Sequence, residues 1–363
     1  MNDIRRTILW VIFGFSMVLL WDKWQLHNGN KATFFPSPAA VGAAAPAAGA
    51  SAPLAGAASV PASTAPAVAS IGASAVPGTP APAAPAAREK IEVTTDVYRL
   101  TFDGEGGSLT HAELLKHADM TDKAKNFVLF DESTQRVYVA QTGLIGGSFP
   151  THKTVMTAVP GPRALKDGEN ELTIRFESPE QGGVKLVKTW TLKRGAYDIA
   201  VKHEVVNVGS TAVSPQLYLQ LVRDGNKPPG ESSFYSTFTG PAVYTDAKKY
   251  QKIEFKDIEN GKVDIPKESP NGYVAMVQHY FASAWLLADG VQRELFTRKV
   301  SDNLYSVGMI TPLGNIDPGT TKVVDARLFA GPQVETMMEK LYPGLELVKD
   351  YGWLTILSKP LYW

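Results

Sequence analysis

The sequence predicts a mainly β protein, a large sandwich of two packed antiparallel sheets, and three observations carry that prediction. Between Arg88 and Tyr342 apolar residues recur with period two, Gly, Pro, Asn and Asp punctuate the runs, and helical periodicity is scarce before Gln333. Strands of this kind bury one face each, so two sheets must stack to share a core. The stretch 88–342 is long for one domain but ordinary for a sandwich or barrel, and a single domain is expected there.

The chain opens with Arg5 and Arg6, then runs TILWVIFGFSMVLLW from Thr7 to Trp21 without a charge. A helix crossing a hydrocarbon core of about 30 Å needs about 20 residues, so this run spans only with its flanks, Ile4 and Trp24, and with Lys23 snorkelling. Its Ile, Leu, Val and Phe residues favour insertion by on the order of 4 kcal/mol. A cleaved signal peptide has the same outline, but no small-x-small pattern lies close to the run. Residues 1–27 are therefore expected to be an uncleaved transmembrane anchor. Arg5 and Arg6 would be cytoplasmic, and Trp21 and Trp24 would sit in the outer membrane interface.

Between Lys31 and Arg88 no residue is charged, and Ala, Pro, Ser and Gly dominate. Such a tract cannot bury enough large side chains to offset the entropy of ordering it. Residues 28–87 are expected to be a disordered Ala/Pro-rich linker, with an r.m.s. span of roughly 40 Å.

The clearest strands are KLVKTWTLK, Lys185 to Lys193, and YDIAVKHEVV, Tyr197 to Val206. Arg194 and Gly195 join them as a hairpin, with Val187, Thr189 and Thr191 on one face and Lys188, Trp190 and Leu192 on the other. Further strands are expected at Ile91 to Thr95, Tyr98 to Phe102, Glu171 to Glu177, Gln216 to Val222, Lys252 to Phe255, Gly272 to Gln278, Phe281 to Leu287, Tyr305 to Met309 and Thr321 to Phe329. From Gln333 the period changes. Val334, Met337, Met338 and Leu341 mark a short helix, which Pro343 and Gly344 end. In 343–363, Leu347, Tyr351 and Leu354 share a helical face, which suits a helix in the membrane interface with Tyr351 and Trp353 near headgroup depth. The alternative is a terminal helix docked on the sandwich. The apolar residues Leu361, Tyr362 and Trp363 read as the start of a second membrane segment.

Formal net charge is zero, and the cations are mixed with Asp and Glu, so no basic stripe for nucleic acid exists. The absence of cysteine excludes disulfides, thiolate catalysis and Cys-ligated zinc. The histidines, His27, His111, His117, His152, His203 and His279, show no metal-ligand spacing, and His203 and Glu204 point to opposite faces of a strand. FDGEGGS, with Gly104, Gly106 and Gly107, lacks the Lys-Ser or Lys-Thr of a phosphate loop and reads as a turn between strands. No GxSxG elbow occurs. No catalytic residue, cofactor or metal is expected. The least ordinary surface candidate is the aromatic group Phe234, Tyr235, Phe238 and Tyr244 beside a Gly and a Pro.

Several segments together are highly specific: VTTDVYRLTFDGEGGSL at Val93 to Leu109, KTWTLKRGAYDIAVKHEVVN at Lys188 to Asn207, FTGPAVYTDAKKYQKIEFKDI at Phe238 to Ile258, GYVAMVQHYFASAW at Gly272 to Trp285, LFAGP at Leu328 to Pro332, and GLELVKDYGWLTILSKPLYW at Gly344 to Trp363. Almost end to end, the chain resembles the YidC membrane protein insertases of Gram-negative bacteria, which are of the Oxa type. Tyr273 stands where that family usually has Trp. The resemblance implies a first membrane helix, a periplasmic β-supersandwich similar to galactose mutarotases, and an interfacial helix leading to a second span. It also implies a protein-transport and chaperone role at the inner membrane. Newly made proteins would be inserted alone or with the Sec translocon, through a groove that lies beyond Trp363. The partners it implies are the lipid bilayer, nascent inner-membrane proteins, and SecD and SecF, with Phe238, Tyr244 and Tyr250 resembling part of a partner-contact region. A competing reading is a periplasmic carbohydrate-binding or mutarotase-like enzyme domain, which needs a His and a carboxylate facing across a cleft. A third is a secreted structural protein released by signal cleavage.

Overall fold

The structure is a computed structural model that describes residues 2–27, 88–228 and 237–349. The chain divides into two compact units, Met1–Thr79 and Pro80–Trp363. In the first, helix α1 runs Asn2–His27. Its described side chains, residues 10–21 and Trp24, are nearly all exposed, Trp10 by 72% and Leu20 by 68%. Among the described residues no helix is long and apolar enough to cross a membrane. The expected linker, 28–87, lies outside the described residues.

In the second unit the strands are β1 Lys90–Thr94, β2 Tyr98–Asp103, β3 Ser108–Ala118, β4 Asn126–Glu132, β5 Val137–Ile145, β6 Thr157–Ala158, β7 Glu171–Glu177, β8 Val184–Lys193 and β9 Asp198–Asn207. They continue with β10 Gln216–Asp224, β11 Gly240–Thr245, β12 Lys249–Lys252, β13 Glu268–Ser269, β14 Tyr273–Gln278, β15 Phe281–Leu287, β16 Arg293–Ser301, β17 Leu304–Pro312 and β18 Thr321–Pro332. Helix α2, Phe255–Glu259, interrupts them, and α3, Glu335–Leu341, follows before a 3₁₀ turn at Leu345–Val348. One nine-stranded sheet has the order β1-β2-β3-β4-β5-β10-β17-β16-β13, the other β12-β11-β14-β15-β18-β9-β8-β7-β6. The expected large two-sheet antiparallel β-supersandwich is what the structure shows, with the core between the sheets.

Period two does the sorting. In β7, Leu172, Ile174 and Phe176 are buried and their neighbours face out. In β8, Lys188, Trp190 and Leu192 share the buried face, as the sequence predicts, with Val187 also buried, and the β8–β9 register pairs Trp190 with Val201. One expected strand is corrected. Lys252 to Phe255 is not a strand, because β12 ends at Lys252 and Phe255 opens α2. Phe255 stacks on Tyr305 and Ile258 is buried, so the two apolar residues that anchor this turn stand at helical spacing. Strands β3, β4, β5, β11 and β16 were not expected, and β3 is broken by bulges against both neighbours.

The two sheets are joined by polar groups as well as by apolar packing. The rings of Trp190 and Trp285, both fully buried, lie 6.1 Å apart, and the Trp285 indole N–H donates across the core to the Gln220 carbonyl at 3.0 Å. The Tyr138 hydroxyl reaches Ser283 on the facing sheet, and the Tyr98 hydroxyl sits between the carbonyls of Tyr197 and Ala330. Tyr98→Phe is expected to lower unfolding free energy by about 1–2 kcal/mol, since it strands a buried acceptor without leaving a cavity. Urea denaturation would show it as a lower midpoint with unchanged slope.

Candidate functional site

Strands β5, β10, β17 and β16 present one set of residues to the second sheet and the alternate set to the opposite side. Tyr138, Ala140 and Leu144 join the core, so Val137, Val139, Gln141 and Ile145 face away from it. With Tyr218, Gln220, Val222, Phe296, Arg298 and Ile310 they line a groove of about 650 Å³.

Two glycines shape its floor. Gly143 lies opposite Tyr218, and a Cβ there would collide with the tyrosine oxygen; Gly308 lies between Gln220 and Phe296, and a Cβ there would strike the Phe296 ring. Each aromatic therefore lies across a neighbouring strand instead of standing away from the sheet. Between them Gln220 Nε2 donates to Gln141 Oε1 at 2.9 Å, a polar band in an otherwise apolar floor.

His152 closes one end. Its backbone N–H donates to the Tyr218 oxygen at 2.8 Å, and its Nδ1 lies 2.5 Å from the same oxygen. Desolvation, followed by the charges of Lys153 and Lys188, lowers the His152 pKa to about 4, and burial pushes Tyr218 up to about 12. Both are neutral at pH 7, so the contact is a hydrogen bond between an uncharged imidazole and an uncharged phenol. The groove histidine is thus engaged by a phenol, and no carboxylate bonds to it among the described residues. His111 Nδ1 lies 3.4 Å from Asp131 Oδ1, between β3 and β4 and outside the groove lining, so this groove lacks the His and carboxylate facing each other that the epimerase reading needs. What the groove offers is a binding surface: flat aromatics, paired amides, and the cations of Lys153, Arg298 and Lys299 against Glu132.

Beneath the floor lies a buried polar cluster. Lys188, fully buried, donates at 2.6 Å to the carbonyls of Gly106 and Thr142, and His203 Nε2 lies 3.0 Å from Thr142 Oγ1. Desolvation lowers Lys188 to about 7, and desolvation with the Lys188 charge lowers His203 to about 3. Among the described residues no group of three or more His, Cys, Asp or Glu is placed to hold a metal.

A model of the YidC periplasmic domain matches residues 90–363. The chain is 48% identical to a membrane protein insertase YidC of Janthinobacterium sp. (strain Marseille), over 99% of this chain and 63% of that protein. It is 51% identical to the membrane protein insertase YidC of Cupriavidus necator, again over 99% and 63%. The chain belongs to the YidC family. It spans about 63% of the length of these curated relatives. Among solved structures, a galactose mutarotase related enzyme from Lactobacillus acidophilus matches with TM-score 0.42 and 9% identity, over 67% of this chain and 97% of that one. A putative aldose 1-epimerase from Escherichia coli matches with TM-score 0.39 and 8% identity, over 67% and 99%.

In this chain the family-like segment Phe238 to Ile258 forms β11, β12 and most of α2. Tyr244 is buried and stacks on Tyr273 at 5.4 Å, and the Tyr273 hydroxyl donates to the Gly344 carbonyl. Both rings thus lie beneath the turn that puts Leu345 and Val348 in the core. Phe238 and Tyr250 are half-buried against the same core, and Lys252 sits over the Phe238 ring at 5.2 Å. Phe234, Tyr235, Tyr351 and Trp353 lie outside the described residues. Trp21 and Trp24 are exposed on α1, with ring centroids 5.3 Å apart. The groove was not foreseen, because β5 and β16 were not read as strands. Its signal was present in the alternate positions of VYVAQTGLI and RELFTRKVS, where valine, glutamine, glycine and phenylalanine share a face.

Proposed function

We propose that this chain is the membrane-anchored, periplasmic part of a membrane protein insertase of the bacterial inner membrane. It would assist the insertion and folding of nascent inner-membrane proteins, alone or with the Sec translocon. The observation that carries this reading is identity of about one half, 48–51%, across 99% of the chain with proteins named for membrane protein insertion. The exposed apolar side chains of α1 support an anchor over residues 1–27, because such a surface is stable in lipid and costly in water. On this reading the sheet body lies outside the cytoplasm as a partner-binding module, and the insertion groove belongs to a part that this chain does not carry. The surface around Phe238 and Tyr250, with Tyr244 beneath it, is the proposed contact for SecD and SecF.

Fractionation tests the anchor and its side. After carbonate extraction the chain should stay with the membrane, and protease should digest the sheet body in spheroplasts but not in intact cells. Recovery in the soluble fraction would overturn the assignment. For the partner surface, Phe238→Ala with Tyr250→Ala should reduce SecF co-purification at least roughly tenfold, the loss of a single anchor cluster. Undiminished recovery removes that contact.

A further inference from the structure

We propose that the tip of the β14–β15 hairpin, His279 and Tyr280, rests with Val334 on the lipid bilayer surface, as an uncharged interfacial contact of the sheet body; this rests on the anchored, periplasmic reading above. A two-residue turn joins Gln278 to Phe281, and such turns favour glycine or asparagine. Here His279 takes a φ of 28°, a region uncommon outside glycine, and Tyr280 beside it is 62% exposed. Two rings therefore stand where small residues would turn the chain at less cost, and strain of this kind points to a use. The tip is also held in place. Phe281 stacks on Phe127 at 3.9 Å, the Gln333 N–H donates to the Tyr280 carbonyl at 2.8 Å, and Thr237 Oγ1 lies 2.8 Å from His279 Nδ1.

What the tip meets follows from where the chain leaves the sheet body. Val334, next to Gln333, is 45% exposed, and α3 then leads to the turn that buries Leu345 and Val348. Lys349, the last described residue, comes back to the first residue of α3, its Nζ 3.5 Å from Glu335 Oε2. The chain thus departs beside Val334 and the hairpin tip. Beyond Lys349 the sequence reads DYGWLTILSKPLYW, with only Asp350 and Lys359 charged. A segment of that composition, passing from a periplasmic body into lipid, holds this end of the sandwich at the bilayer. A phenol with an apolar body and a wet tip suits the headgroup depth it would meet there. Magnitude favours lipid over a protein partner: a specific protein interface buries about 800 Å² on each side, more than a tyrosine and a valine supply. The attraction is not one of charge, because Lys349 and Glu335 offset each other.

The chain has no cysteine, so a single introduced thiol carries one label. Tyr280→Cys and Val334→Cys, each bearing an environment-sensitive fluorophore, are placed as the full 363-residue chain in vesicles of phosphatidylethanolamine and phosphatidylglycerol with no other protein. The control is Val208→Cys, at a residue 41% exposed just past the end of β9 that lies far from Pro332. Circular dichroism checks that each variant folds as the parent does. Lipids brominated near the headgroup should quench the labels at 280 and 334 at least about threefold more than the label at 208, as expected for side chains roughly 5–10 Å deep. The difference should persist in about 1 M sodium chloride, where charges are screened beyond about 3 Å. Adding Tyr280→Asp should bring the label at 334 down to the level of 208. Equal quenching at 280 and 208, loss of the difference in salt, or an unchanged label at 334 beside Asp would each overturn the proposal. If the chain stays with the vesicles while 280 reads like 208, the contact fails and the anchor reading stands. A chain released from the vesicles by carbonate overturns both.

Discussion

Replacing Arg293 by methionine is expected to lower the unfolding free energy by about 3 kcal/mol or more, because several buried acceptors lose their donor at once. The guanidinium is buried at the end of the sandwich where β16 meets the second sheet. It donates to the carbonyls of Gly272 at 2.7 Å, Ala288 at 2.6 Å, Val291 at 2.9 Å, Pro270 at 3.3 Å and Leu287 at 3.4 Å. One side chain on the first sheet thus gathers the turns that open β14 and close β15 on the second. The Gly272 N–H in turn donates to the Tyr342 hydroxyl, which also bonds Asp289, so the node extends to the C-terminal segment. Desolvation lowers the Arg293 pKa, yet a guanidinium remains charged, and its planar fork can serve several carbonyls together. Arg293→Lys keeps the charge without the fork and should recover less than half of the loss. Urea midpoints of the three proteins, compared at equal slope, check this. A lysine variant as stable as the parent would show that charge alone suffices there.

The second large effect is a dependence of stability on pH set by Lys188. Its amine is lowered to about 7 in the folded protein by burial, whereas an unfolded lysine holds its proton to about 10.4. Between those values the unfolded chain binds one more proton than the folded one, so stability rises with pH, by about 1.4 kcal/mol per pH unit from this group. Below pH 7 both states are protonated, and this slope vanishes. His203 and His152, lowered to about 3 and about 4, act in the same direction in a lower window. Their contribution is present above the ordinary histidine pKa of about 6.5 and is lost as pH falls through the folded values. Urea midpoints measured from pH 7 to 9.5 should climb for the parent chain and stay level for Lys188→Met. A parallel climb in the variant would assign the slope to other groups.

Much of the sandwich was legible in the chain. Strands β7 and β15 fall on the residues expected, the hairpin of β8 and β9 turns at Arg194 and Gly195, and the glycines of FDGEGGS make the turn between β2 and β3. α3 follows Val334, which the apolar spacing had marked. The failures have a common origin. Lys252 to Phe255 looks like a strand until Tyr305, fifty residues on in sequence, supplies the surface that holds Phe255 at the start of a helical turn. Strand β14 is buried on both faces, so alternation says nothing about which side of Tyr273 meets the other sheet and which meets the turn at Gly344. Val139, Gln141, Tyr218 and Phe296 were invisible as a site because three separate strands must align before they share a floor.

Read alone, the chain is enough to reveal a charge-free apolar N-terminal run, an uncharged Ala/Pro tract and a long unit of alternating strands, since each is a matter of composition or of neighbours two residues apart. Folding in three dimensions assigned the partners. It placed Lys188 and Arg293, among other cations, inside the fold, where carbonyls of the opposing sheet offset the cost of removing them from water. It also laid a groove on the face of the first sheet turned away from that core. Burial and register depend on contacts between residues from about seventy to more than two hundred positions apart, and no local pattern records them.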